Sequence, residues 1–435
     1  MSTHDKNTEK NIGKDTPKKI VIVGGGFGGL QASKILGNTP GVNVTLIDRR
    51  NHHLFQPLLY QVSMAGLSPA DIATPIRLVL SEYENTTVLL GEVKSVDTQA
   101  SELDCDFGRV KYDYLILACG ASHSYFGHDE WEDYAPGLKT LEQATEIRRR
   151  VLMSFELAER EQDPAKRKDF LTFVVVGGGA TGVEIAGSLG EITRFTLGKD
   201  FHHIDPATTR IILIEAGDRI LSGFDPALSK RATRDLEKLG VTVWTSTRVT
   251  KINADGVFLG QEVIKATTVI WAAGVKPAAI NQTLGAPLDY LGRLMVNQDL
   301  SIPGHANIFA VGDQVRFDGP DGNPLPGQAP AAMQQGRHAA RNIIRLIEGG
   351  KTVPFKYLDK GQMATIGRRR AILQYKKLQL AGPLAWWGWV FVHIYYLIGF
   401  KNRLFVILQW AVAYLTWRRG ARLVTNAGWK MTQGK

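Results

Sequence analysis

Only two cysteines, Cys105 and Cys119, occur in 435 residues. Two thiols cannot supply a disulfide framework, a CxxC pair or a four-thiolate metal centre, and so low a cysteine content suits a reducing compartment. No HExxH, GxSxG or CxxC sequence is present, which removes the simplest zinc-hydrolase, serine-hydrolase and thiol-redox readings. Residues 1–17 contain no apolar stretch, so they read as a mobile polar tail and as neither a signal peptide nor an anchor. Long apolar runs are scarce too. Residues 384–400 form one of 17 and residues 404–417 one of 14, separated by Lys401, Asn402 and Arg403. At ~1.5 Å per helical residue the shorter run reaches about 21 Å, against a hydrocarbon core of ~30 Å. The longer run is at the lower limit and carries His393, which leaves a tilted or re-entrant insertion open. Nothing supplies the several spanning helices that an ion pathway would need.

What is present is the profile of a soluble α/β protein: 44% apolar residues, 22% charged residues and 45 glycines. The length exceeds one ordinary core and predicts two or three domains. The net charge of +10 is unevenly placed. Residues 351–435 hold 15 Lys or Arg against the single acid Asp359, so the first 350 residues are net negative at −4. The same basic segment carries Trp386, Trp387, Trp389, Trp410 and Trp417. Basic and aromatic residues interleaved in this way point to a membrane surface rather than to nucleic acid.

The chain contains one pattern twice. An apolar strand at 18–23 enters GGGFGG, an apolar-periodic helix is expected over 30–36, and a strand at 43–47 ends at Asp48. Some 150 residues later a strand at 170–176 enters GGGATGVE, a helix follows, and a strand at 210–214 ends at Glu215. Each is a βαβ unit with the dinucleotide fingerprint. Gly24, Gly26 and Gly29, then Gly177, Gly179 and Gly182, allow the tight turn, close approach of a pyrophosphate and close helix packing. The helix N-terminus faces the anion. Asp48 and Glu215 are placed to accept hydrogen bonds from ribose hydroxyls, and a carboxylate at Glu215 repels a 2′-phosphate, favouring NADH over NADPH. Arg219 stands close behind and softens that preference. Glu184, just inside the second helix, is equally readable as a favourable charge at a helix N-terminus and as a functional acid. YDYLILACG (112–120) and TTVIWAAGVKP (267–277) close the two halves in parallel fashion. A strand at 308–311 runs into Gly312 and Asp313, placed to meet ribityl hydroxyls, and a helix is expected from about 330 to 347.

Two dinucleotide sites in one chain imply electron transfer between a tightly held flavin and an exchanging nicotinamide cofactor. In VIVGGGFGGL, NHHLFQPLLYQVSMAGLSP (51–69), VVVGGGATGVEIAG, WAAGVKP, FAVGD, APAAMQQG and GQMATIGRR, with the closing aromatic segment, the sequence resembles the type II NADH:quinone oxidoreductases. These belong to the flavoprotein group with two dinucleotide-binding domains that includes glutathione reductase. The resemblance spans about residues 18–425. It implies two Rossmann-like domains plus C-terminal membrane-associated helices, arranged as follows: 18–160 and 291–365 for FAD, 161–290 for NADH, and 366–435 for the membrane surface and dimerisation. FAD contacts are expected at Gly24, Gly26, Gly28, Gly29, Asp48, Arg49, Ala118, Gly120 and Asp313, with Val93 against the adenine and Ala332 and Met333 along the flavin. NADH contacts are expected at Gly177, Gly179, Thr181, Gly182, Glu215 and Gly274. Glu184 matches the family's acid where nicotinamide and flavin meet, and Gln334 matches the second glutamine of a quinone motif reading AQxAxQ in many members. The first glutamine position is Pro330 here, which has no side-chain donor.

The activity implied is non-pumping: hydride from NADH to the flavin N5, then two electrons to a membrane quinone, with Glu184 and Gln334 as catalytic residues. The expected setting is peripheral, on the cytoplasmic face of the cell membrane through residues 380–425, with homodimerisation and no nucleic-acid partner. A pair of redox cysteines, as in glutathione reductase or sulfide:quinone oxidoreductases, is missing, and His52 and His53 are read as packing beside the flavin rather than as metal ligands. The rival readings are a soluble NADH-dependent reductase for a small redox protein and a non-catalytic redox sensor.

Overall fold

The computed structural model describes residues 16–198, 200–320, 322–416 and 419–424. The proposed tail thus lies almost wholly outside the described residues, as does Trp417. The chain forms two compact units, one from residues 1–51, 76–120 and 277–357, the other from 52–75, 121–276 and 358–435.

In the first unit a six-stranded sheet runs in the order Ser301–Ile302, His305–Ala310, Tyr114–Leu117, Lys18–Val23, Val42–Asp48, Thr86–Leu90. All its neighbours pair in parallel except the first two. Successive residues of Lys18–Val23 serve opposite faces. Ile20 and Ile22 join a core with Ala32, Leu36, Phe309 and Ile343, while Val21 and Val23 join one with Ile47, Leu115, Leu117 and Ile308. A strand buried on both sides has no polar face, which is why it reads as an unbroken apolar run. Helices Phe27–Leu36 and Ala329–Ile347 cover one face. They approach backbone to backbone, since a Cβ on Gly336 would overlap the Gly28 carbonyl oxygen. The first helix starts at Phe27, three residues before its apolar periodicity begins, because glycines occupy its first turn and carry no side chain to register the period.

The second unit holds a parallel four-stranded sheet in the order Val241–Trp244, Arg210–Ile214, Thr172–Val176, Thr268–Trp271. Helix Ala180–Glu191 follows the central strand and passes into a π-helical turn, Ile192–Thr196. It also packs on Gln362–Gly367, where a Cβ on Gly187 would overlap the Ile366 carbonyl oxygen; this strand begins an antiparallel sheet continued by Arg370–Tyr375 and Leu378–Ala381. Two helices follow, Pro383–Tyr396 and Phe400–Thr416. The break between them falls at residues 397–399, where Gly399 has φ +87°, and Lys401, Asn402 and Arg403 lie inside the second helix. A glycine in the left-handed region ends the segment more sharply than charged side chains do. Arg403 turns back to donate to the carbonyls of Leu397 (2.7 Å) and Tyr395 (2.9 Å), satisfying groups freed at the end of the first helix. No helix among the described residues is long and apolar enough to cross a membrane.

Candidate active site

The two glycine-rich turns are built alike. Gly24 and Gly177 have φ +102° and +110°, values open to glycine but not to larger residues. Their amides donate to the carbonyls of Ile47 and Ile214, each at 2.8 Å. A Cβ on Gly29 would overlap the Gly24 carbonyl oxygen, and one on Gly182 the Gly177 carbonyl oxygen, so these glycines press each helix against its turn. At Gly26 and Gly179, by contrast, a Cβ would meet nothing within 4 Å. These are the openings that a phosphate-bearing ligand can approach.

The terminal acids do more than await a ribose. Gly25 donates to Asp48 Oδ2 and Gly178 to Glu215 Oε2, both at 2.6 Å, while the second oxygens accept from Arg50 (2.7 Å) and Gly217 (2.6 Å). Each carboxylate clamps its turn and, with about four lone-pair positions, keeps acceptor capacity for hydroxyls. Glycine openings, a helix N-terminus and an acid with spare capacity fit FAD at the first turn and a nicotinamide dinucleotide at the second. Arg219 is held within its own loop, donating to the Ser222 carbonyl at 3.0 Å and lying 3.6 Å from Asp218.

The remaining expected contacts of the first unit fall into distinct places. Gly28 is buried in the contact between helices, Arg49 is exposed, and Val93 is half-buried at the start of Val93–Asp97. Ala118 is buried beside the turn, and its amide donates to the Val23 carbonyl at 2.8 Å. Gly120 has φ +68° with open space beside it, Asp313 is half-buried, and Ala332 and Met333 are buried on helix Ala329–Ile347. Gln334 is half-buried one residue further on. Pro330 fits this helix because an amide in its first turn needs no partner within the helix. Sequence reasoning passed over buried Gln335, whose Oε1 accepts from the Gly312 amide at 2.7 Å and fixes the turn that presents Asp313.

In the second unit Thr181 is exposed at the N-terminus of helix Ala180–Glu191, and Gly274, with φ +70°, lies against Ser124 and Phe126. Glu184, one turn beyond Thr181, lines two cavities. The smaller, about 60 Å³, is shared with Thr181, Gln56, Tyr60 and Lys139. The larger, about 140 Å³, is walled by Tyr60, Trp386, Trp389, Trp410, Tyr414 and Arg419. Glu184 is half-buried because these cavities reach it, and protein packs around the rest of the side chain. That enclosure pushes its carboxyl up to about 8, with a backbone hydrogen bond from Thr365 pulling the other way. A carboxyl so placed is mostly protonated at neutral pH. Arg419 closes the larger cavity, donating to the Met64 carbonyl (2.8 Å) and Ser188 Oγ (3.0 Å) and pairing with Glu191 at 3.2 Å. Tyr60, Trp389, Glu191 and Arg419 carry no spacing that flags them, and only the local aromatic density hints at a wall. His52 and His53 lie in the short strand His52–Leu54, and among the described residues no group of three or more His, Cys, Asp or Glu could hold a metal ion.

Two clamped turns, each leading from a parallel strand into a helix, define a flavoprotein with two dinucleotide sites, and residues 18–336 match the pyridine nucleotide-disulphide oxidoreductase family. Both cysteines are free. Within that class, the chain belongs to the type II NADH:quinone oxidoreductases. It is 40% identical to two members from Mycobacterium tuberculosis, NdhA and Ndh, over 426 and 424 residues. The matches cover 94% of this chain and 89% and 90% of those proteins. The structure of NDH2 from Plasmodium falciparum in complex with NADH shares the fold, with a TM-score of 0.84 at 20% identity over 94% of this chain and 99% of that one.

Proposed function

We propose that this chain oxidises NADH and reduces a membrane quinone, with the first unit holding FAD and the second holding NADH. FAD, when bound, supplies the two-electron chemistry that joins the two half-reactions. The chain's own residues bind and orient. The first turn and Asp48 hold one dinucleotide, and the second turn and Glu215 hold the other. Glu215 favours a ribose 2′-hydroxyl over a 2′-phosphate.

One observation carries the assignment of chemistry to the second unit. A single acid, Glu184, faces both the cavity beside the nucleotide turn and the aromatic-walled cavity. At about 140 Å³ the latter exceeds the ~10–15 Å³ that one water occupies on such a measure roughly tenfold, and its flat indole and phenol walls suit a quinone ring. Glu184 holds a proton at neutral pH on its carboxyl and can release it to the more basic oxygen that a reduced quinone carbonyl becomes. Gln334, on helix Ala329–Ile347 of the first unit, does not line this cavity; it stays a quinone contact proposed on the family motif alone, with Pro330 contributing no side-chain donor.

The membrane assignment rests on helices Pro383–Tyr396 and Phe400–Thr416, which expose Leu384, Trp387, Phe391, Tyr395, Leu408 and Leu415. Lys401 and Arg403 stand among them. Apolar faces fringed by cations suit peripheral binding at the cytoplasmic leaflet, and homodimerisation remains part of this reading. The test is stopped-flow reduction of the flavin by NADH and then NADPH, followed by a quinone pulse. Gln334→Ala is expected to raise the quinone KM while NADH still reduces the flavin; an unchanged KM removes Gln334 from the site.

A further inference from the structure

The larger cavity has in its wall a phenolic O–H that donates to no described residue. Tyr60, on the short helix Leu59–Ser63, is 7% exposed and sets its ring edge-on to Trp389 at 6.4 Å. Its oxygen accepts from Gln61 Nε2 at 2.9 Å, and Gln61 Oε1 accepts from Trp410 Nε1 at 2.7 Å. The direction of this chain is fixed by its far end. An indole N–H can only donate, so the Gln61 atom facing it must be the carbonyl oxygen and the atom facing Tyr60 must be the amide nitrogen. Tyr60 therefore spends its oxygen on Gln61 and keeps its own proton for another partner, and no acceptor for that proton is present among the described residues. Burial, reinforced by the nearby Glu184, holds the phenol well above its ordinary pKa, so the proton stays on. Trp389, 2% exposed and lining the same cavity, has an indole N–H that is also buried without a partner.

We propose that Tyr60 is a substrate-binding residue whose phenolic O–H donates to a quinone carbonyl oxygen in this cavity, with Gln61 and Trp410 as positioning residues that set the direction of that donor. The proposal rests on the reading of the cavity as a quinone site. The unspent phenolic donor of Tyr60, among flat aromatic walls, suits a planar molecule that offers carbonyl acceptors, which describes an oxidised quinone. Trp410 belongs to helix Phe400–Thr416, so this helix reaches the site through a hydrogen-bond chain as well as by packing.

The test is isothermal titration of the FAD-loaded protein with menadione, without NADH, so that binding is read apart from turnover. Tyr60→Phe deletes one oxygen and keeps the ring; the flavin-to-protein absorbance ratio checks that it folds. It is expected to weaken menadione binding about tenfold, or ~1.4 kcal/mol. Trp410→Phe is expected to weaken it about threefold, and the double variant no more than Tyr60→Phe alone, because the chain acts only through the phenol. Additive losses in the double variant would overturn the positioning role. Ala413→Trp, which fills the cavity, distinguishes the two levels of the argument. If it abolishes binding while Tyr60→Phe binds within twofold of wild type, the donor assignment fails and the cavity stands. If it leaves binding intact, or if wild-type protein does not bind menadione, the cavity reading fails and the donor assignment with it.

Discussion

Replacing Glu184 by glutamine should make the protein more stable and less active, and the two effects have one origin. Enclosure moves the Glu184 carboxyl from 4.5 to about 8, so the folded chain retains a proton that the unfolded chain releases. A folded pKa above the unfolded one means that the stability contribution is fully present below about pH 4.5, is lost as pH rises, and levels off above about pH 8. Each pH unit of that gap corresponds to ~1.4 kcal/mol, which caps the loss at about 5 kcal/mol. Water reaching the carboxyl through two cavities screens it, and about 2 kcal/mol is the expected figure. Glutamine is the isostere of the neutral acid, can still accept from the Thr365 amide, and has no proton to lose. Denaturant unfolding of FAD-loaded wild type and Glu184→Gln should therefore give nearly equal stabilities at about pH 5 and a variant about 2 kcal/mol more stable at about pH 8.5. Turnover with quinone should fall at unchanged flavin content, since the transferable proton is gone. A stability difference that stays flat across this range would refute the argument, because a charged carboxylate at the helix N-terminus predicts no such slope.

Gly26→Ala and Gly29→Ala place the same methyl group in opposite surroundings. The first should leave the melting of the apoprotein almost unchanged but lower the flavin-to-protein ratio, whereas the second should cost about 1–3 kcal/mol through overlap with the Gly24 carbonyl; full flavin retention in Gly26→Ala would place the ligand elsewhere. Glu215→Gln removes a charge that clamps the Gly178 and Gly217 amides, so the NADH KM should rise and the ratio of kcat/KM for NADH over NADPH should narrow, an outcome read directly from steady-state kinetics with both. Leu408→Asp, on an exposed apolar face, should reduce co-sedimentation with anionic vesicles at least tenfold, and undiminished binding would direct attention away from helix Phe400–Thr416.

The two nucleotide turns were legible because their chemistry is local. Glycines at fixed offsets, a strand before them and an acid at the end of the next strand are all encoded within one βαβ unit, and the positive φ values at Gly24 and Gly177 follow from residue type. The aromatic cavity was not legible, because its wall draws on residues 60, 184, 389, 410 and 419, which no periodicity relates. Gln335 escaped for a similar reason: a buried glutamine on a helix looks like any polar residue until its acceptor is seen to hold the Gly312 amide. The apolar runs divide at Lys401–Arg403 but the helices divide at residues 397–399, because charge marks the first break and the backbone conformation of Gly399 makes the second.

The C-terminal helices also correct a simple equation between aromatic richness and membrane contact. Trp387 and Phe391 are exposed, as interfacial anchors should be, but Trp389, two residues from each, is 2% exposed and forms cavity wall. On a helix with 3.6 residues per turn, neighbours two apart point to different sides, so one short apolar segment serves two surfaces. Arg419 fits the same division. Its charge is buried and matched by Glu191 rather than offered to a lipid headgroup, and burying a pair of charges is worthwhile mainly where it fixes one arrangement. Removing Arg419 would leave Glu191 inside the protein without its cation, loosening the end of the cavity that this ion pair closes. The segment proposed to meet the lipid therefore also completes the wall of the proposed quinone pocket, with Leu408 on its exposed face and Trp410 in the cavity lining.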